Sequence, residues 1–128
     1  MGDTKIAVFG YNRPTHLNKC LMALYKAENV EKFEIHLFLD GPKEGQSLRD
    51  LISCNDVANQ FHKRYGLIIH KSLNNKGLSQ SLREGITEIL SNSESIIVLE
   101  DDILIGNDFL VFMTRSLTKF KDIDEVAS

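Results

Sequence analysis

Three consecutive carboxylates, at Glu100, Asp101 and Asp102, directly follow a short apolar run of the sequence. Like charges a few ångströms apart disfavour one another's ionisation, so a neutralising ion is expected nearby. Mg²⁺ and Mn²⁺ prefer oxygen ligands and keep coordination positions for water and substrate phosphates. The triplet therefore predicts a divalent-metal site, and a solvated acidic turn is the alternative. If the strand runs through Glu100, the side chains of Glu100 and Asp102 share one face and Asp101 points to the other.

Two other apolar runs are also followed by polar residues that could contact a ligand. Asn12 and Arg13 come after the first run, and Asp40 and Gly41 come after the second. An acidic side chain in the position of Asp40 could hydrogen-bond a nucleobase or a ribose hydroxyl, as in dinucleotide-binding folds. The alternative for Asp40 is a simple turn formed with Gly41. Arg13 also has two candidate partners, a phosphate group or the acidic triplet.

The segment Asn75-Lys76-Gly77 precedes a predicted helix. Its backbone N–H groups and the Lys76 ammonium group could bind a phosphate there. Helix capping by the same segment is an equally good interpretation. Arg83, within this helix, lies either on the solvent face or inward. The four histidines show no metal-ligand spacing, and we assign them no role.

Four short apolar runs alternate with amphipathic segments, and this order predicts how the polar residues are positioned. The predicted strands are Lys5–Tyr11, Ile35–Leu39, Leu67–His70 and Ile96–Leu99. The predicted helices are one capped by Thr15, one from about Ser47 to His62, one over Leu78–Leu90 and one from about Asn107 to Phe120. Such an order is typical of an α/β fold with a parallel sheet and helices on both faces. Ligands of open parallel sheets bind outside the carboxyl ends of the strands, so the polar residues are predicted to converge there.

Length and composition limit the classes of function. The 128 residues suit a single core, so residues 1–128 are expected to form one domain. A net charge of −3 argues against nucleic acid or an anionic membrane as a partner. No apolar run approaches the ~20 residues of a membrane span, and both cysteines suit buried free thiols, so a cytoplasmic protein is expected. The sequence also lacks the Walker A, GxGxxG, GxSxG and HExxH motifs of other enzyme classes.

Four segments, taken in chain order, resemble the N-terminal half of GT-A glycosyltransferases of the family-2 type. The segments are VFGYNRPTHLNKCLMAL, LDG, NKGLSQSLREGI and VLEDDI. The Glu-Asp-Asp triplet is similar to the EDD variant of the DxD motif in the N-acetylglucosaminyltransferase I family. This resemblance implies a three-layer sandwich around a mostly parallel sheet, and it implies transfer of a sugar from a nucleoside diphosphate sugar.

The resemblance also implies roles for particular residues. Asp102 is the implied ligand of Mn²⁺ or Mg²⁺. The residues implied to lie around the sugar donor are Asn12, Arg13, Asp40, Gly41, Lys76, Gly77, Glu100 and Asp101. The metal would neutralise the charge that builds on the departing diphosphate.

The chain departs from this resemblance in its length. Only 26 residues follow Asp102, whereas such glycosyltransferases continue into an acceptor-binding half that carries the catalytic base. We therefore expect a fragment or a binding-only relative, nominate no base or acceptor, and predict donor binding rather than substantial sugar transfer. Two alternatives come from other classes: a receiver-like signalling domain, whose acidic pair would follow the first strand instead, and a non-catalytic interaction domain.

Overall fold

The computed structural model describes residues 3–116, and within them strands and helices alternate. The elements are β1 (Thr4–Gly10), α1 (Pro14–Lys26), β2 (Glu34–Leu39), α2 (Arg49–Tyr65), β3 (Ile68–Lys71), α3 (Leu78–Leu90), β4 (Ser95–Glu100) and α4, which occupies 109–116. The α/β fold predicted from the apolar runs is confirmed. The end of the last predicted helix, near Phe120, lies outside the described residues.

The four strands form one parallel sheet in the order β3-β2-β1-β4. Strand β1 lies inside the sheet, and its Ile6 is level with Ile35 of β2 and Ile97 of β4. After β3 the chain crosses back over the sheet through α3 and adds β4 on the other side of β1. Because every pair is parallel, the carboxyl ends of all four strands lie at the same edge.

The main core lies between one face of the sheet and helices α1 and α2. Val8 and Leu37 project from the sheet into this core, and Leu17, Leu21 and Leu24 of α1 cover them, all fully buried. Each such side chain contributes roughly 1.5–3 kcal/mol by leaving water. Helical spacing of apolar residues therefore fixes α1 against β1 and β2, which holds the loop between β1 and α1 in place.

Helix α3 packs on the opposite face of the sheet. Phe9 and Phe38 point to this face because side chains alternate along a strand, and their rings stack with centroids 5.0 Å apart. A Cβ atom on Gly85 of α3 would come within 2.8 Å of the Phe9 ring. The missing side chain lets the helix approach the two rings closely, and α3 thereby forms one side of the cavity described below.

Helix α1 begins earlier and helix α2 ends later than the sequence predicts. Helix α1 begins at Pro14 rather than after Thr15, because proline at the first position of a helix has a suitable fixed φ and loses no hydrogen bond. Helix α2 continues to Tyr65, three residues past its predicted end, and stops at Gly66 in the left-handed conformation with φ 79°. The first difference makes Arg13 the residue that joins the β1 loop to α1.

The prediction of free cysteines is confirmed for both Cys20 and Cys54, which are buried without a disulfide. Burial raises the pKa of each thiol to about 11, so both are protonated at neutral pH. Within residues 3–116, no helix has the length and apolar character needed to cross a membrane.

Candidate functional site

A cavity of about 340 Å³ opens at the carboxyl edge of the sheet. Its lining includes seven of the residues singled out from the sequence: Asn12, Arg13, Asp40, Asn75, Gly77, Glu100 and Asp101. The loops at the strand ends therefore converge on one cavity, as the sequence predicts. Gly41, Lys76 and Asp102 do not line this cavity, although each is adjacent in sequence to a residue that does.

Asp40 lies at the end of β2 and holds the loop that leads into α3. Its Oδ1 atom accepts hydrogen bonds from the backbone N–H groups of Gly41 at 2.8 Å and Lys76 at 2.9 Å. Its Oδ2 atom accepts from the Asn75 side-chain amide at 3.2 Å and from the Gly77 N–H at 3.0 Å. A carboxylate has about four lone-pair positions, so these four donors use the acceptor capacity of Asp40.

Gly41 completes the contact between the β2 turn and the loop 72–77. Its carbonyl oxygen accepts a second hydrogen bond from the Asn75 amide, at 3.0 Å. A Cβ atom at this position would lie 2.6 Å from the backbone of Asn74 and 2.7 Å from the Ser72 carbonyl oxygen, closer than real Cβ atoms come. Glycine is therefore required because two backbones touch here. We call the contact of Asp40 and Gly41 with residues 72–77 the turn lock.

The turn lock changes the interpretation of the segment before α3. The N–H groups of Lys76 and Gly77, which the sequence offered to a phosphate or to helix capping, donate to Asp40. The ammonium group of Lys76 lies 2.5 Å from Glu84 Oε2, and this hydrogen bond raises the pKa of Lys76. The charge of Lys76 is thus already matched by a neighbouring carboxylate. Arg83 is exposed to solvent, which decides between its two predicted orientations.

Asp101 is the buried member of the acidic triplet. Only 4% of the residue is exposed, and the Arg13 guanidinium donates a hydrogen bond to its Oδ1 at 2.5 Å. Burial raises the pKa of the Asp101 carboxyl, whereas the charge and hydrogen bond of Arg13 act in the opposite direction. Of the two partners foreseen for Arg13, the structure shows the acidic triplet. The pair ties the β1 loop to the end of β4.

Asp102 is exposed, and within residues 3–116 its carboxylate has neither a hydrogen-bond nor an ion-pair partner. No group of three or more His, Cys, Asp or Glu side chains in that part of the chain is arranged to hold a metal ion. Mg²⁺, however, is commonly held by one or two carboxylates together with water and substrate phosphates. Asp102 directly follows two lining residues of the cavity, Glu100 and Asp101, and an available carboxylate in that position fits a metal of that kind. The structure leaves the metal role of Asp102 a prediction.

Seven residues of the cavity lining were not singled out from the sequence as ligand-facing positions: Phe9, Gly10, Tyr11, Phe38, Lys43, Leu78 and Ser81. The Tyr11 hydroxyl donates a hydrogen bond to the Gln46 side chain, which ties the β1 loop to the loop after β2. Lys43 belongs to the same loop after β2. Its place two residues after Gly41 was the available signal, since residues after a strand end reach the ligand edge.

Comparison with known proteins places this fold in a class. No protein-family model matches the sequence. The four-stranded parallel sheet with flanking helices is the fold of solved glycosyltransferase structures, of the GT-A type. The expected fold is therefore confirmed, and the receiver-like alternative is not favoured.

Two of the similar solved structures show how far the likeness extends. One is the mannosyltransferase PcManGT from Pyrobaculum calidifontis, solved in complex with GDP-Man and Mn²⁺, with a TM-score of 0.66 and 14% identity over 85% of this chain. The other is TarS from S. aureus, with a TM-score of 0.67 and 15% identity over 91% of this chain. This chain spans 30% of the first and 20% of the second. At such identities the likeness concerns the fold.

Proposed function

We propose that this chain is the donor-binding part of a glycosyltransferase and binds a nucleoside diphosphate sugar together with Mn²⁺ or Mg²⁺. The observation that carries the proposal is the cavity at the carboxyl edge of a glycosyltransferase fold, with Glu100 and Asp101 of the acidic triplet in its lining. The neighbour solved with GDP-Man and Mn²⁺ supports the same class of ligand. We further propose that residues 1–128 form one domain for this purpose.

The metal in this proposal is held by Asp102, whose exposed carboxylate has no other partner within residues 3–116. When bound, a divalent ion supplies positive charge to the diphosphate leaving group. Asp101 serves differently, because its buried carboxylate is matched by Arg13 and fixes the end of β4 next to the cavity. Glu100 lines the cavity and is assigned to the donor.

The wall of the proposed donor site is formed by the turn lock and the start of α3. Asp40 shapes this wall through its four hydrogen bonds rather than through an unused acceptor. Gly77 and Leu78 line the cavity at the N-terminus of α3. A helix N-terminus favours anions because its first N–H groups lack intrahelical partners, so the phosphates of a donor are well placed there. Asn12 lines the cavity from the β1 loop, next to the proposed nucleotide.

The test measures the binding of UDP, GDP, dTDP and CDP, each with and without Mn²⁺, by isothermal titration calorimetry and by thermal shift. We expect one nucleotide to bind in a metal-dependent way and to raise the melting temperature by several degrees at saturating concentration. Asp102→Ala should weaken that binding tenfold or more. Asp56→Ala, at an exposed position of α2, is the matched control and should bind as the wild type does. If the wild type binds none of the four nucleotides with Mn²⁺, the proposed function is wrong.

A further inference from the structure

The cavity holds more negative than positive charge. Asp40, Glu100 and Asp101 line it with carboxylates, while its cationic lining residues are Arg13 and Lys43. A nucleoside diphosphate brings further negative charge into this space. Binding such an anion requires cationic or N–H groups whose charge is still available. A cation at the cavity that is not neutralised by a neighbouring carboxylate is therefore the best candidate to bind the diphosphate.

Arg13 and Lys76 are both engaged. Arg13 lies 2.5 Å from Asp101, and its charge offsets a carboxylate that burial would otherwise disfavour. Lys76 pairs with Glu84 at 2.5 Å and does not line this cavity. Lys43 differs from both, because its ammonium group has no hydrogen bond or ion pair with any of the residues that the structure describes. Of the two cationic residues in the cavity lining, Lys43 is therefore the one whose charge is not matched by a carboxylate among the described residues.

The loop that carries Lys43 is anchored on both sides. Before it, the turn lock fixes Asp40 and Gly41 against residues 72–77. After it, the Gln46 side chain accepts the hydrogen bond from Tyr11, and the Gln46 N–H closes a turn onto the Lys43 carbonyl oxygen at 3.2 Å. Gly45 provides the positive φ, 77°, in this turn. The Lys43 side chain thus starts from a fixed backbone position at the cavity margin.

We infer that Lys43 binds the diphosphate group of the donor and is the main protein cation for it. This inference rests on the proposed function and adds a residue to it that the sequence motifs did not indicate. Lys43 faces the cavity from the β2 side, whereas the acidic triplet lies at the end of β4. The diphosphate would then lie between a protein ammonium group on one side and the acidic triplet with its metal on the other.

The experiment compares Lys43→Gln with the wild type in titrations against the bound nucleoside diphosphate of the four-nucleotide panel and against the matching free nucleoside, both with Mn²⁺. Lys19→Gln changes net charge equally at an exposed position of α1 and is the control. We expect Lys43→Gln to weaken diphosphate binding about tenfold or more, the range for a hydrogen bond to a charged group, and to leave nucleoside binding within about twofold. Its diphosphate affinity should also depend less steeply on salt concentration.

Tyr11→Phe is a second variant that keeps the charge of Lys43 and removes the anchor at Gln46. It should weaken diphosphate binding by a smaller factor than Lys43→Gln does. The inference is overturned if Lys43→Gln binds the diphosphate within twofold of the wild type, or if diphosphate and nucleoside binding fall equally. If the wild type itself binds no nucleotide, the proposed function fails and this inference fails with it. If Lys19→Gln binds the diphosphate as the wild type does, a loss of affinity in Lys43→Gln comes from the position of Lys43 and not from the change in net charge.

Discussion

Asp40 uses one carboxylate to hold four N–H donors, three of them from residues 75–77. Replacement by asparagine keeps one carbonyl oxygen and puts an NH₂ group where N–H donors already point. We expect Asp40→Asn to lower the free energy of unfolding by about 1 kcal/mol, the usual contribution of a hydrogen bond, because these donors are at most partly buried. Urea denaturation measures the change. Asp56→Asn on exposed α2 is the control, and equal stability of Asp40→Asn and this control would refute the role of Asp40 as an anchor.

His36 and His70 form a second polar cluster, on the face of the sheet that α3 covers. His36 Nδ1 and His70 Nε2 lie 2.8 Å apart, His36 Nε2 lies 2.6 Å from Glu34, and Glu88 of α3 lies 3.9 Å from His70. Burial lowers the pKa of His70, Glu88 acts to raise it and His36 to lower it further. These contacts join β2, β3 and α3, so the two histidines have a structural role.

This depressed pKa predicts a pH dependence of stability. The unfolded chain binds the His70 proton more readily, since its pKa there is the ordinary 6.5. The contribution of His70 to stability is therefore complete above about pH 6.5 and is lost as the pH falls toward the lower pKa of the folded state. His70→Gln should show a smaller loss of stability between pH 7 and pH 5 than the wild type, measured by urea denaturation. His16→Gln, at an exposed position of α1, is the control and should keep the wild-type dependence of stability on pH. If His70→Gln also keeps that dependence, the predicted effect of burying His70 is wrong.

The turn lock connects two elements of the fold, because it joins the end of β2 to the segment that enters α3. Gly41→Ala would place a Cβ atom 2.6 Å from the Asn74 backbone, where no flexible side chain can yield. We expect a loss of about 1–3 kcal/mol in unfolding free energy, the usual cost of overpacking, and weaker nucleotide binding because the cavity wall must move. Gly106→Ala, whose Cβ would make only an ordinary 3.5 Å contact, is the control. A Gly41→Ala variant as stable as this control would contradict the geometry.

The elements themselves could be predicted from the sequence, and the reason is physical. Apolar runs ended by turn residues predicted every strand to within two residues at each end. The signal is clearest for the inner strands β1 and β2, which are mostly buried and therefore nearly apolar throughout. Helix α3 was predicted to the residue by its apolar stripe. The end of α2 was less accurate, although Gly66 is a recognisable helix-terminating residue.

The partners within the site could not be predicted in the same way. Lys76 donates to Asp40 across 36 positions of sequence, and that contact depends on β2 and β3 being neighbours in the sheet. Strand order follows from packing of the whole molecule rather than from any local pattern. The sequence therefore showed which loops meet. The structure was needed to show that Asp40 and Lys76 are engaged and that Lys43 has no side-chain partner among residues 3–116.

The chain has the fold of glycosyltransferases, and it spans at most a third of the length of the neighbours described above. We propose that a nucleoside diphosphate and Mn²⁺ bind together at the carboxyl edge of the sheet. The observations that support it are the cavity there, the available carboxylate of Asp102 and the paired, buried Asp101.

The most direct measurement is an NMR titration of the ¹⁵N-labelled chain with the nucleotide from the four-member panel, first with Mg²⁺ and then with traces of paramagnetic Mn²⁺. We predict shift changes of the amide signals at Asn12, Lys43 and Gly77. We also predict Mn²⁺ line broadening centred on Asp102 that requires the nucleotide. Absence of shift changes, or broadening centred on the opposite edge of the sheet near Tyr25 and Tyr65, would contradict the account.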